Sequence, residues 1–199
     1  MKYIKNTTWD NVFASWRQRE ASNPGWIKTA TEIKGWPDWE SWRKFTASQL
    51  GLEMLDWNIY EFINPLLEIP DMLIGPYSGW QSRVAEKNKS TFADLLNNSE
   101  QYNFFKSHDT VSALLKDFPK ETEFIGLLRK DLNKVVLIEG HHRAVAVAIL
   151  NKDGKVGWYC KVRIALSEIN ENEQQLFDTV LERGTSKIDK ANHAEVAQR

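Results

Sequence analysis

The sequence predicts an α/β (α+β) protein: a small mixed sheet flanked by helices, with a helical N-terminal extension. Two patterns predict it. Residues 122–166 run through two strand-like segments, a glycine turn, a helix of small apolar residues and a third strand-like segment. Ahead of them, seven of the nine tryptophans fall within the first 57 residues, several at helical spacing. The 199 residues are 42% hydrophobic and 27% charged, a globular composition that makes one ordinary domain with an extension, or two very small ones. Twenty-six basic and twenty-seven acidic side chains leave a charge of −1, which excludes a generally basic nucleic-acid coat protein and a polyacidic tail protein.

Residues 1–52 read as two or three short amphipathic helices, punctuated by Asn23-Pro24-Gly25 and Gly35-Trp36-Pro37. Trp9, Val12, Phe13 and Trp16 fall at i, i+3, i+4 and i+7 behind a cap at Thr7 or Thr8. Trp39, Trp42 and Phe45 do much the same after Pro37. The aromatics could form a stacking platform for bases or sugars. Helical spacing favours a core instead, with the extension packed on the rest because its indole faces need burial.

Residues 53–77 change character. Leu55, Trp57, Ile59 and Phe62 are strand-like, and Pro65, Pro70 and Pro76 cut the segment into short extended pieces. Ser78 to Arg83 reads as a polar loop entering a helix. Thr91 can cap a helix carrying Phe92, Leu95 and Leu96; Asp109 can cap another carrying Val111, Leu114, Leu115 and Phe118. Phe124–Leu128 and Val135–Ile138 are strands joined by the turn Lys130–Lys134. Glu139-Gly140-His141-His142-Arg143 comes next, running into the buried helix Ala144–Leu150. Val156–Leu166 alternates as a final strand, with Trp158, Cys160, Val162 and Ile164 on one side and Tyr159, Lys161 and Arg163 on the other. Leu176, Phe177 and Val180 mark one more helix, and the chain is expected to fray from Gly184 onward.

The strand–Glu-Gly-His-His-Arg–helix junction is the candidate site. Gly140 permits a sharp turn and close approach to a ligand. The helix after it presents unpaired N–H groups and the positive end of its dipole, an anion site. Arg143 can grip a phosphate with two parallel donors, either imidazole can donate to an oxyanion or move a proton, and Glu139 can hold a divalent cation or position a hydroxyl. Read structurally instead, Gly140 is an ordinary turn and the histidines cap the helix. A metal site on His141 and His142 is disfavoured, since adjacent helical residues point about 100° apart and no third ligand has recognisable spacing.

Residues 55–167, above all 122–166, resemble the ParB/sulfiredoxin superfamily. The resemblance rests on the box Gly140-His141-His142-Arg143, preceded by Leu137-Ile138-Glu139 and followed by Ala144, with Val111–Phe118 in the place of the family helix before the strand pair. It implies a ParB/sulfiredoxin-like domain over 53–167 between the extension (1–52) and a C-terminal helix and tail (168–199). The box is closest to the Asp-Gly-His-His-Arg version of free-serine kinases, with Glu139 in the aspartate's position. The resemblance implies nucleotide binding (ATP, ADP or CTP, with Mg²⁺) by Gly140, His141, His142 and Arg143. Phosphotransfer to a small-molecule hydroxyl acceptor, or nucleotide hydrolysis, would then use Glu139 and His142 as catalytic groups and Glu139 as metal ligand. Sulfiredoxin repair chemistry needs a cysteine where His141 stands, and the single cysteine, Cys160, falls in a predicted strand. The kinases also take a glutamate from an earlier segment; Glu68, Asp71, Glu121 and Glu123 are candidates, with Arg83 and Arg129 as further cations.

Two other functions stay open. Residues 120–166 hold nine basic and five acidic side chains, locally +4, which suits a DNA-associated binder or nuclease. A non-catalytic module whose aromatic helices bind a partner is the other. No run approaches the ~18 apolar residues of a membrane span, and residues 1–8 lack the apolar core of a secretory signal, so a cytoplasmic protein is expected.

Overall fold

The fold is known from a computed structural model, which describes residues 1–156, 158, 160–169 and 173–187. It is a mixed α/β structure built on one five-stranded sheet. The strands are β1 (Lys2–Thr7), β2 (Trp57–Glu61), β3 (Glu121–Arg129), β4 (Lys134–Glu139) and β5 (Lys161–Glu168), in the order β1-β2-β5-β3-β4. Only β3 and β5 run parallel; the other neighbours are antiparallel.

Apolar residues on both faces of each inner strand dictate a sheet covered on both sides. Along β3, Ile125 and Leu127 face one core and Phe124 the other; along β4, Val136 and Ile138 oppose Val135 and Leu137. The first core is closed by α1 (Trp9–Glu20), α2 (Pro24–Lys28), a π-helical turn (Thr29–Ile33), α3 (Trp39–Gln49) and α10 (Glu173–Arg183). The second is closed by α4 (Pro65–Glu68), α5 (Ser78–Gln81), α6 (Phe92–Asn97), α7 (Ser99–Ser107), α8 (Asp109–Lys116) and α9 (His141–Lys152).

Trp9, Trp16, Trp39, Trp42 and Trp57 are buried, so helical spacing did mark a core rather than an open platform. The chain does not begin in a helix, however. Lys2–Thr7 pairs antiparallel with β2 as an edge strand, and its exposed, polar-interrupted residues carry no alternation that would announce it. Thr8, not Thr7, caps α1. Thr91 caps α6 through a full capping box with Asp94. Asp109 is one residue too late to cap α8: His108 holds the cap position and Asp109 lies in the first turn. The final strand begins at Lys161 rather than Val156, because pairing with β3 starts at Glu121↔Lys161. The expected position of Tyr159 lies outside the described residues, as does the tail from 188. Residues 184–187 do not fray: Trp36 Nε1 donates to Thr185 O (2.9 Å) and Lys187 N to Lys34 O (2.8 Å).

Candidate functional site

The junction of β4 and α9 forms as the glycine requires. Gly140 has φ +108°, and a Cβ there would stand 2.2 Å from Phe124 Cδ1. No side chain caps α9, and its first internal bond runs from Ala144 N to Gly140 O (2.9 Å), so the N–H groups of His141, His142 and Arg143 precede the ladder.

The two histidines play different parts. His141 is buried, and its Nε2 accepts from Gly75 N (3.1 Å), which places the ring hydrogen on Nδ1. Tyr77, Trp80 and Phe92 surround the ring. Burial, followed by the charges of His142 and Arg43, pushes its pKa down to about 3. The His142 ring stacks on His108 at 5.0 Å and meets Trp80 at 5.2 Å; burial and His108 lower its pKa to about 4. Both imidazoles are therefore neutral near pH 7.

Glu139 and Arg143 hold each other. Arg143 Nη2 donates to Glu139 Oε1, and its Nη1 donates to Thr122 Oγ1 and to Glu123 O (3.1 Å). Arg19 Nη2 approaches Glu139 Oε2 at 3.4 Å. Burial works to raise the Glu139 pKa, but Arg143 and Arg19 outweigh it and the carboxyl titrates below its usual range.

A cavity of about 320 Å³ opens at this corner. Glu139, Gly140, His141 and His142 line it, and Arg143 does not. Its other walls come from elsewhere: Trp16 and Glu20 on α1, Trp26 on α2, Thr29 in the π-helical turn and Lys34 just after it, Trp42 and Arg43 on α3, Pro76–Trp80, and Gly184–Thr185. Buried Gln81 fixes the Pro76–Trp80 wall, donating to Ile74 O and Gly75 O (both 2.9 Å), while Tyr77 Oη donates to Ile138 O (3.0 Å).

Glu20 and Arg43 form the polar centre. Glu20 Oε2 accepts from Trp16 Nε1 (2.8 Å), Arg43 Nη2 (2.9 Å) and Trp39 Nε1 (3.3 Å); Oε1 takes no hydrogen bond among the described residues. Burial raises the Glu20 pKa against the pull of Arg43. The Arg43 guanidinium lies 3.9 Å from the Trp42 ring centroid, 4.8 Å from Trp16, 5.1 Å from Trp26 and 5.8 Å from Trp39.

The chain matches no protein-family model, no curated protein and no solved structure.

The remaining sequence candidates lie away from the cavity. Glu68 pairs with the Met1 amino group, Asp71 with Lys134, Glu121 with Lys161, and Glu123 with Arg19. Arg83 lies over Phe104, and Arg129 is buried against Asp131, Asn88 O and Gln174. Cys160 is half-buried, and burial raises its thiol pKa, away from a thiolate. Among the described residues no three His, Cys, Asp or Glu side chains group to hold a metal ion, and both Glu139 oxygens already face arginines, a poor fit to a Mg²⁺ ligand.

Sequence reasoning missed Glu20 and Arg43. A signal for both existed. Glu20 falls on the apolar stripe of α1, four residues after Trp16, and Arg43 falls on that of α3, between Trp42 and Thr46. A charge on a buried stripe needs a partner across the fold.

Proposed function

We propose that the protein binds a nucleotide in this cavity and acts as a phosphotransferase or nucleotide hydrolase. The observation that carries the reading is the opening of α9, behind a side-chain-free Gly140, into a cavity with flat aromatic walls and a buried guanidinium. Its volume lies at the lower end of the ~300–1,000 Å³ usual for small-ligand pockets. The Gly140–His142 segment offers helix N–H groups to phosphate oxygens, as the superfamily resemblance implies. Neutral His141 and His142 can donate hydrogen bonds without adding charge.

Glu20 suits the base. Its Oε1 is unengaged, and burial lifts its proton affinity toward that of a useful acceptor. The hydroxyl proton of the acceptor, or of water, passes to Oε1. The freed oxygen bonds to the terminal phosphorus, and the bond from phosphorus to the leaving phosphate oxygen breaks with its electron pair on that oxygen.

The nucleic-acid alternative has less support. Of the nine basic side chains in 120–166, Arg129, Lys130, Lys134, Arg143, Lys161 and Arg163 are in ion pairs, and Glu61, Asp71 and Glu168 from outside the segment offset part of the local +4.

Thermal melting with ATP, ADP and CTP, with and without Mg²⁺, tests the proposal. A ligand at about 100 times its Kd adds about 2.7 kcal/mol, a rise of roughly 5–10 °C for a chain this long. Glu20→Gln should keep that rise and lose about 10²–10⁴-fold in turnover. A melting point unmoved by every nucleotide at millimolar concentration rejects the reading.

A further inference from the structure

We propose that Arg43, not Arg143, is the cationic anchor of the cavity, and that the group it takes is an oxyanion of a ligand that also bears a flat ring. The inference rests on the reading of this cavity as a ligand site and names the chemistry that fills it. Arg143 contributes no surface to the cavity; its guanidinium is engaged by Thr122, Glu123 O and Glu139 behind the wall. Arg43 does line it, although it is only 8% exposed.

A guanidinium that deep is stable only when paired and hydrogen-bonded. Arg43 has half of that. One N–H reaches Glu20 Oε2, an oxygen it shares with two indoles, while its buried Nε–H has no acceptor. Trp42, 5% exposed and also in the lining, has an indole N–H buried without an acceptor. Lys34 lines the same cavity and makes no ion pair among the described residues. The cations of the wall are Arg43 and Lys34, joined by the leading N–H groups of α9; the one unengaged carboxylate oxygen facing them is Glu20 Oε1. A ligand rich in acceptors and negatively charged satisfies this set. A cation or a neutral donor-rich ligand does not.

The tryptophans serve the same end. Four indoles pack around the Arg43 guanidinium, fix its plane and keep water from it, which strengthens its attraction for an anion. Trp26, only partly buried, and Trp80 and Tyr77 offer flat apolar surface on the cavity walls for a ring attached to that anion.

The test uses the full chain, with ADP, inorganic phosphate and benzoate as probes in calorimetric titrations. Two charge-neutral double variants are compared: E20Q/R43M removes the inner pair, and E139Q/R143M removes the outer one. Arg43→Lys keeps the charge, removes the planar fork and covers the case in which E20Q/R43M does not fold. Circular dichroism and melting curves report folding. The expected result is a loss of about 10–100-fold in affinity for E20Q/R43M and for Arg43→Lys, the scale of a charged hydrogen bond, with E139Q/R143M within a few-fold of the parent. Unchanged affinity in folded Arg43 variants overturns the anchor while leaving nucleotide binding standing. Loss confined to E139Q/R143M overturns it in favour of Arg143. Arg43-dependent binding of benzoate with none of ADP keeps the anchor and removes the nucleotide. A parent protein that takes none of the three probes overturns both.

Discussion

His141 illustrates what a single buried group costs a fold. Its Nε2 must stay unprotonated to accept from Gly75 N, and its surroundings are aromatic. His141 and His142 have pKa values lowered from 6.5 to about 3 and about 4. In the unfolded chain both regain ordinary values, so below pH 6.5 the unfolded state binds more protons than the native one. Stability is then full above pH 6.5 and falls as pH drops, each histidine contributing up to about 1.4 kcal/mol per pH unit. Glu20, whose pKa is raised, acts in the opposite sense in the acid range. Urea unfolding between pH 7.5 and 4.5 should show this decline, and His142→Phe should make it shallower. A flat profile would mean that the imidazoles are hydrated in the native state. Steric demand at the same spot gives a second expectation. A Cβ on Gly75 would stand 2.2 Å from Leu137 O and 2.9 Å from His141 Nε2, so Gly75→Ala must displace either β4 or the imidazole. It should cost about 1–3 kcal/mol in urea midpoint measurements, the range of overpacked sites.

Elements were legible in the sequence where one local pattern sufficed. The hairpin of β3 and β4, the glycine turn and α9 each carry their own signal: apolar runs, Asn133 at φ +50°, Gly140 at φ +108°. The edge strand β1 carries none, since its hydrogen bonds to β2, 50 residues on, define it rather than any apolar face. α7 escaped notice for a related reason: of its nine residues only Phe105 is buried. Caps are the strongest local signals, and their contribution can be measured. Thr91 Oγ1 accepts from Asp94 N (3.1 Å), and Asp94 Oδ2 accepts from Thr91 N (2.9 Å), closing both ends of the box. Thr91→Ala opens it and should lower stability by about 1 kcal/mol in urea titrations, with the far-ultraviolet spectrum unchanged. No change in midpoint would show that the buried Phe92, Leu95 and Leu96 alone hold α6 in place.

At the scale of the molecule, the helical extension of residues 1–52 packs on the sheet through one shared core, as its indole faces require. Val136 and Ile138 on β4, Ile125 and Leu127 on β3, and Trp57 and Ile59 on β2 bury one face against Trp9, Phe13, Trp16, Trp39 and Trp42. The cavity has the same dual origin, with Gly140 to His142 on one wall and Glu20 and Arg43 on another. This is why the site was half legible: its glycine turn is a local motif, whereas its charged centre exists only once the N-terminal helices have docked. Residues 53–187 expressed alone should therefore not fold cooperatively. Each large side chain stripped of its partners forfeits about 1.5–3 kcal/mol, and about six of them exhaust the ~5–15 kcal/mol that holds an ordinary domain together. The fragment should be insoluble or melt without a sharp transition, with exposed apolar surface that binds a hydrophobic dye. Addition of a separate 1–52 peptide should restore a cooperative transition, because docking recovers both β1–β2 pairing and the tryptophan layer. A fragment that melts sharply by itself would show that the second core, under α9, is sufficient, and that the layer carrying Glu20 and Arg43 is an addition to a complete fold.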